Sequence, residues 1–277
     1  ARREDIATAI TREMGKIIGE SRGEVNKALG EGRAATSRAS AAIGEVLPSQ
    51  KPGTVTYSTR RPRGVIVGIN PWNFPFSTPI RKTIPALLYG NAMVLKPSIS
   101  TPGAAFIMQE VADATLPKGL FQIAYGSGSL GSALTSADGV DAISFTGSVE
   151  IGRIVAQAAA ANLAEISLEL GGKNPVIVND ASDLEAVLNQ IYAAAFAVCG
   201  QRCTAISRVI VRRELESAVV EGLANRAKAA KIGDGLDAAT TIGPLMGEKA
   251  RDDVAGFVER SLAAGAHAAA GGTTIEQ

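Results

Sequence analysis

From Gly64 onward the sequence alternates short apolar runs with segments of helix length. The runs lie at residues 65–69, 92–95, 120–125, 142–145, 166–170, 175–178 and 207–211. They lack polar–apolar alternation, which marks strands covered on both faces. Segments 102–114, 149–161 and 184–198 lie between them, long enough for the crossovers that parallel strands require. The predicted class is α/β, a mostly parallel sheet flanked by helices. Two helix starts are signalled. Thr101 before Pro102 offers a capping hydroxyl, and Ser182 with Glu185 fits a capping box. Ahead of this region, Ile6, Ile10, Met14 and Ile17 form a helical stripe. A second helix runs through Val25 and Leu29, and an exposed strand is expected at 54–59. Gly171-Gly172 is the only boundary signal; a tight backbone passage is favoured there over a domain joint.

Composition narrows the chemistry. Lys and Arg total 28 against 27 Asp and Glu, with no basic block, so neither nucleic acid nor an anionic membrane is an expected partner. No apolar run approaches the roughly 18–20 residues of a spanning helix. Two cysteines and one histidine exclude a disulfide scaffold and a Cys/His zinc centre, so no metal is expected. His267 sits in an Ala/Gly-rich stretch, which argues against Ser-His-Asp and Cys-His catalysis.

Several residues remain as carriers of chemistry, each with a plain alternative. Gly126-Ser127-Gly128-Ser129-Leu130-Gly131 is a literal GxGxxG between a strand and a helix, but the acidic residue expected after the next strand is missing. Thr146-Gly147-Ser148 also joins a strand to a helix, where N–H groups face an anion or Ser148 merely caps. Asn73, within Pro71-Trp72-Asn73-Phe74-Pro75-Phe76, can aim an amide at an oxyanion or satisfy its own loop. Lys96 ends a strand and points toward the crevice where α/β sheets bind ligands; an ordinary exposed strand-end lysine is the alternative. Glu169 lies in an apolar run, so it must be paired, exposed in a cleft or protonated. Cys203 follows Gly200-Gln201-Arg202, where Arg202 can favour the thiolate; the alternative is a small core hydrophobe. Cys199 and Cys203 form a CxxxC pair that suits neither a redox couple nor zinc.

Together and in this order, five segments resemble the NAD(P)-dependent aldehyde dehydrogenase superfamily. They are PWNFPF at 71–76, VLKPS at 94–98, FTGSVEIG at 145–152, LELGGKNP at 168–175 and GQRC at 200–203. GQRCTAISR at 200–208 brings the semialdehyde dehydrogenases of α-ketoglutaric and succinic type nearest. The resemblance implies Cys203 as nucleophile, Glu169 as general base and Asn73, with the Cys203 N–H, as oxyanion donor. It implies NAD or NADP as cofactor, touched by Trp72, Lys96, Ser98, Ile99, Gly126, Thr146, Gly147, Ser148, Ile151 and Leu170. Gly126 lies near the cofactor without being its phosphate cradle. Phe74 and Arg81 fall at the substrate, Arg81 matching an arginine that holds a substrate carboxylate; a surface salt bridge is its alternative.

Two further expectations come with the resemblance. Many NAD-preferring relatives carry a Glu where this chain has Ile99, so NADP is tolerated or favoured here. The domain plan is a Rossmann-type cofactor domain, residues 1–46 and 64–171, an oligomerising β-arm at 47–63, and an incomplete catalytic domain at 172–277. The family's later acidic motif, whose Glu holds the nicotinamide ribose, has no counterpart before residue 277. The chain therefore reads as an internal fragment with surfaces bare of their partners. A cytoplasmic homodimer or homotetramer acting on a small aldehyde is expected. A CoA-acylating enzyme, one for aromatic or aliphatic aldehydes, and an inactive piece are the rivals.

Overall fold

The computed structural model describes residues 2–180 and 182–275. The chain forms two units, one of Glu24–Leu170 and one of Ala1–Gly23 with Gly171–Gln277. Residues 1–23 thus group with the C-terminal segment, whereas the sequence reading grouped residues 1–46 with the sheet. The second passage between units falls at Gly171, within one residue of the 171/172 boundary that the family resemblance implies, although the glycine pair by itself favours a tight passage.

In the unit of Glu24–Leu170, strands β3 (Val65–Ile69), β4 (Ala92–Lys96), β5 (Phe121–Ile123), β6 (Ala142–Gly147) and β7 (Glu165–Leu170) make one parallel sheet. Its order is β5-β4-β3-β6-β7. The chain moves from β3 to β4 on one side and returns to β6 on the other, so the β3/β6 gap is the topological switch point. Helices α3 (Ser77–Leu88), α4 (Gly103–Thr115), α5 (Gly128–Thr135) and α6 (Val149–Ala161) are the crossovers. Val67, Ile143, Phe145, Val155 and Ala159 form a core against Ile69, Val94, Leu168 and Leu170. Edge strand β7 is mostly exposed, unlike its central neighbours. Strands β1 (Gly44–Leu47) and β2 (Thr56–Thr59) pair antiparallel as a wholly exposed hairpin, beginning three residues before the expected arm.

In the other unit, helix α1 (Arg3–Met14) ends at Gly15, whose φ of 82° suits glycine. Helix α2 (Ile18–Thr36) starts here and continues into the sheet unit. Strands β8 (Asn174–Val178) and β9 (Ile206–Val211) pair in parallel as a separate ribbon, within the segment expected as the incomplete catalytic domain. They are followed or joined by α7 (Leu184–Phe196), α8 (Glu216–Ala229) and α9 (Glu248–Ala263).

Both expected caps move. Asp183, not Ser182, caps α7, its Oδ1 accepting from Ala186 N at 3.0 Å. Glu185 is drawn instead to Arg226 of α8. At α4 the cap position is Pro102, and the Thr101 hydroxyl donates to the Trp72 carbonyl at 3.3 Å.

Candidate active site

Asn73 rides on the loop between β3 and α3, and neighbouring elements fix that loop at both ends. Asn70 N donates to Lys96 O at 3.1 Å, and Thr101 holds the Trp72 carbonyl. At the far end α3 has no side-chain cap of its own. Buried Glu24 of α2 supplies one: its Oε1 accepts from Phe76 N and Ser77 N, both at 2.9 Å. A carboxylate at a helix N-terminus satisfies orphan N–H groups and complements the dipole. Trp72, Asn73 and Phe74 are half-buried.

Cys203 is exposed and follows a strained turn. Val198, Cys199 and Gly200 all have left-handed backbones, with φ of 56°, 55° and 71°. For a β-branched residue this conformation is an outlier that surrounding contacts must enforce. Val198 N donates to Glu20 Oε1 at 2.8 Å, and Gln201 Oε1 accepts from Met246 N at 3.0 Å. The Cys199 thiol donates to Gly243 O at 2.9 Å, and burial pushes its pKa up to about 11. That thiol is a structural donor, not a redox partner. Arg202 also departs from expectation. Its guanidinium donates to the Ala194 carbonyl at 2.6 Å, at the C-terminal end of α7, rather than serving the Cys203 sulfur. The carbonyls that α7 leaves unpaired are the stronger attraction.

Glu169, in β7, is exposed. Near it the structure places a residue the sequence reading passed over. Lys82 of α3 is half-buried, and its Nζ donates to both the carbonyl and the hydroxyl of Ser144 at 3.0 Å. Burial lowers its pKa to about 7, while the Glu169 carboxylate opposes that shift. The signal was its spacing. Lys82 falls three residues after buried Pro79 and four before buried Ala86, on the packed face of the helix.

The switch point collects the cofactor candidates of the sheet unit. Gly147 ends β6, and a Cβ there would run into the Phe145 ring. Ser148 caps α6, its hydroxyl accepting from Ile151 N at 3.2 Å. Gly152 is buried where a Cβ would meet Leu170. These glycines let β6 and α6 pack closely on Phe145 and Leu170, and the N–H groups at a helix start such as that of α6 favour an anion. Lys96 is buried at the end of β4, its Nζ reaching Pro97 O at 3.3 Å, and burial lowers its pKa. The Asn70 amide beside it is buried and has no hydrogen-bond partner among the described residues. Ser98 Oγ accepts from Ser100 N, and Ile99 is 63% exposed. Helix start, lysine and bare apolar surface together fit a dinucleotide. Gly126 lies in the turn after edge strand β5, two strands from β3.

Arg81 is not open to a ligand in the same way. Its guanidinium forks onto Glu31, with Nη2 to Oε1 at 2.8 Å and Nε to Oε2 at 3.3 Å.

The aldehyde dehydrogenase family model matches residues 1–277. The chain belongs to the aldehyde dehydrogenase family. It is 40% identical to the alpha-ketoglutaric semialdehyde dehydrogenase of Bacillus subtilis (strain 168), over 99% of this chain and 57% of that protein. It is 42% identical to the betaine aldehyde dehydrogenase of Sinorhizobium fredii (strain NBRC 101917 / NGR234), over 79% of this chain and 45% of that one. The betaine aldehyde dehydrogenase of Staphylococcus aureus in complex with NAD+ superposes with a TM-score of 0.97 at 33% identity. That match covers all of this chain and 55% of the solved one. An NADP dependent enzyme of E. coli matches with a TM-score of 0.93 at 36% identity, over 99% of this chain and 57% of that one. The aldehyde dehydrogenase chain described here spans about half the length of these relatives.

Proposed function

We propose that this chain belongs to an enzyme that oxidises a short semialdehyde acid to the dicarboxylic acid, with NAD or NADP as hydride acceptor. The observation that carries the reading is Cys203, exposed directly after a strained and hydrogen-bonded turn, within a chain of this family. In the proposed chemistry its thiolate attacks the aldehyde carbon, and the oxyanion takes hydrogen bonds from the Asn73 amide and the Cys203 N–H. The dinucleotide, when bound, supplies the hydride acceptor that leaves a thioester on sulfur. Glu169 deprotonates a water that hydrolyses the thioester and frees the acid. Such a glutamate favours hydrolysis over transfer to CoA.

The substrate class rests on Arg81 and on the likeness to the semialdehyde relative. The Arg81–Glu31 pair is exposed, and exposed pairs contribute little, about 0–1 kcal/mol. A substrate carboxylate can therefore replace Glu31 on the same guanidinium fork. With Ile99 in place of a carboxylate, nothing at that position repels a 2′-phosphate. The bare β1–β2 hairpin supports assembly into a homodimer or homotetramer, and a nucleophilic thiol suits a reducing cytoplasm.

The test is steady-state absorbance at 340 nm with NAD and NADP, on an acidic semialdehyde and a neutral aldehyde. The reading expects turnover with either cofactor, lost in Cys203→Ala. Arg81→Ala should raise KM for the acidic substrate far more than for the neutral one. Turnover in Cys203→Ala would refute the nucleophile; equal KM effects would refute the substrate class.

A further inference from the structure

An exposed nucleophile gains no rigidity from packing, so the position of Cys203 has to come from hydrogen bonds to its backbone. The strained turn restrains it from the N-terminal side. On the other side stands Asn174, whose Nδ2 donates to Cys203 O at 2.7 Å and to Ala205 O at 3.1 Å. One amide thus uses both N–H donors to pin the residue and the loop after it.

The aim of that side chain is built into the ribbon. Asn174 pairs with Ile206, but Pro175 pairs with Arg208, so the β8–β9 ladder slips by one and leaves Ser207 as the extra residue. Bulges of this kind re-aim side chains and recur beside active sites. Pro175 has no N–H to give the ladder, which makes the slip inexpensive at this point. The bulge is itself anchored. Ser207 Oγ donates to Asn174 O at 3.3 Å, and Arg208 Nη2 donates to Lys173 O at 2.8 Å. The Lys173-Asn174-Pro175 segment therefore orients an amide toward a residue 29 positions downstream.

We propose that Asn174 is the positioning residue of the nucleophile, its amide clamping the Cys203 and Ala205 carbonyls so that the Cys203 sulfur and N–H keep a fixed direction. This rests on the reading of Cys203 as nucleophile. Asn174 does not touch the reacting atoms, so its loss should lower kcat and leave KM for the dinucleotide unchanged.

The experiment compares Asn174→Ala, Asn174→Asp and Asn174→Ser in the purified protein, with turnover normalised to Cys203 titrated by iodoacetamide. Ala removes both donors, and Asp turns carboxylate lone pairs toward two carbonyl oxygens. Each should cut kcat at least tenfold, with cofactor KM within twofold and faster hydrogen exchange at residues 203–207. Ser keeps one donor and should fall between wild type and Ala. A kcat per titrated thiol within twofold of wild type in Asn174→Ala or Asn174→Asp overturns the proposal. So does a loss confined to the amount of folded protein. If Asn174→Ala is insoluble, Asn174→Ser and Asn174→Asp carry the comparison. A Cys203→Ala control separates the two ideas. Activity there defeats the nucleophile reading itself, whereas an inactive control beside a fully active Asn174→Asp defeats only the clamp.

Discussion

Lys82 shows how one half-buried side chain sets a pH window. Its ammonium gives up water for two hydrogen bonds that it donates to Ser144, and burial draws its pKa from 10.5 down to about 7. Between those values the unfolded chain holds a proton that the folded chain has released. Unfolding free energy therefore rises with pH from about 7 to 10.5, and the cost of the buried cation is greatest below that range. The Glu169 carboxylate partly offsets the shift. Glu169→Gln should push the Lys82 pKa below about 7, as read from the 13Cε shift of Lys82 in a pH titration. An unchanged or higher value would contradict the pairing. Lys82 could have been found from its place on the packed face of α3, but Ser144 and Glu169 as its neighbours depend on strand order. No local pattern states that order.

At the level of elements, the strands and the main helices were readable because their apolar runs are short, uninterrupted and separated by helix-length segments. Their ends were not. Ser182 and Asp183 are both good caps, and the choice falls to Asp183 because Glu185 is taken by Arg226. Asp183→Ala should therefore destabilise the protein by about 1 kcal/mol, and Ser182→Ala by a few tenths at most. Urea midpoints of the two variants give the check, and a lower midpoint in Ser182→Ala than in Asp183→Ala would return the cap to Ser182. The same limit applies around Cys203. The GQRC segment marked the nucleophile candidate, but the left-handed Val198 and Cys199 and the β8–β9 bulge arise from distant partners, Glu20, Gly243 and Asn174. Arg202, adjacent in sequence to Cys203, turned out to serve the end of α7.

Across the whole molecule, large apolar side chains stand exposed in specific places. Val46 and Tyr57 of the hairpin, Ile177 and Ile210 of the β8–β9 ribbon and Phe257 of α9 stand exposed. The motif residues are legible as candidates in the sequence, because glycines, prolines and lone polar groups in apolar runs stand out locally. The sequence could not show that residues 1–23 group with the C-terminal segment, a pairing across nearly 150 residues. Among the described residues no helix is long and apolar enough to cross a membrane. In the proposed function an acyl group passes through the Cys203 sulfur. Its most direct test is peptide mass spectrometry of Glu169→Gln quenched after mixing with aldehyde and dinucleotide. With thioester hydrolysis slowed, the peptide bearing Cys203 should carry the added mass of the acyl group. Reduced dinucleotide formed with Cys203 left unmodified would contradict the account.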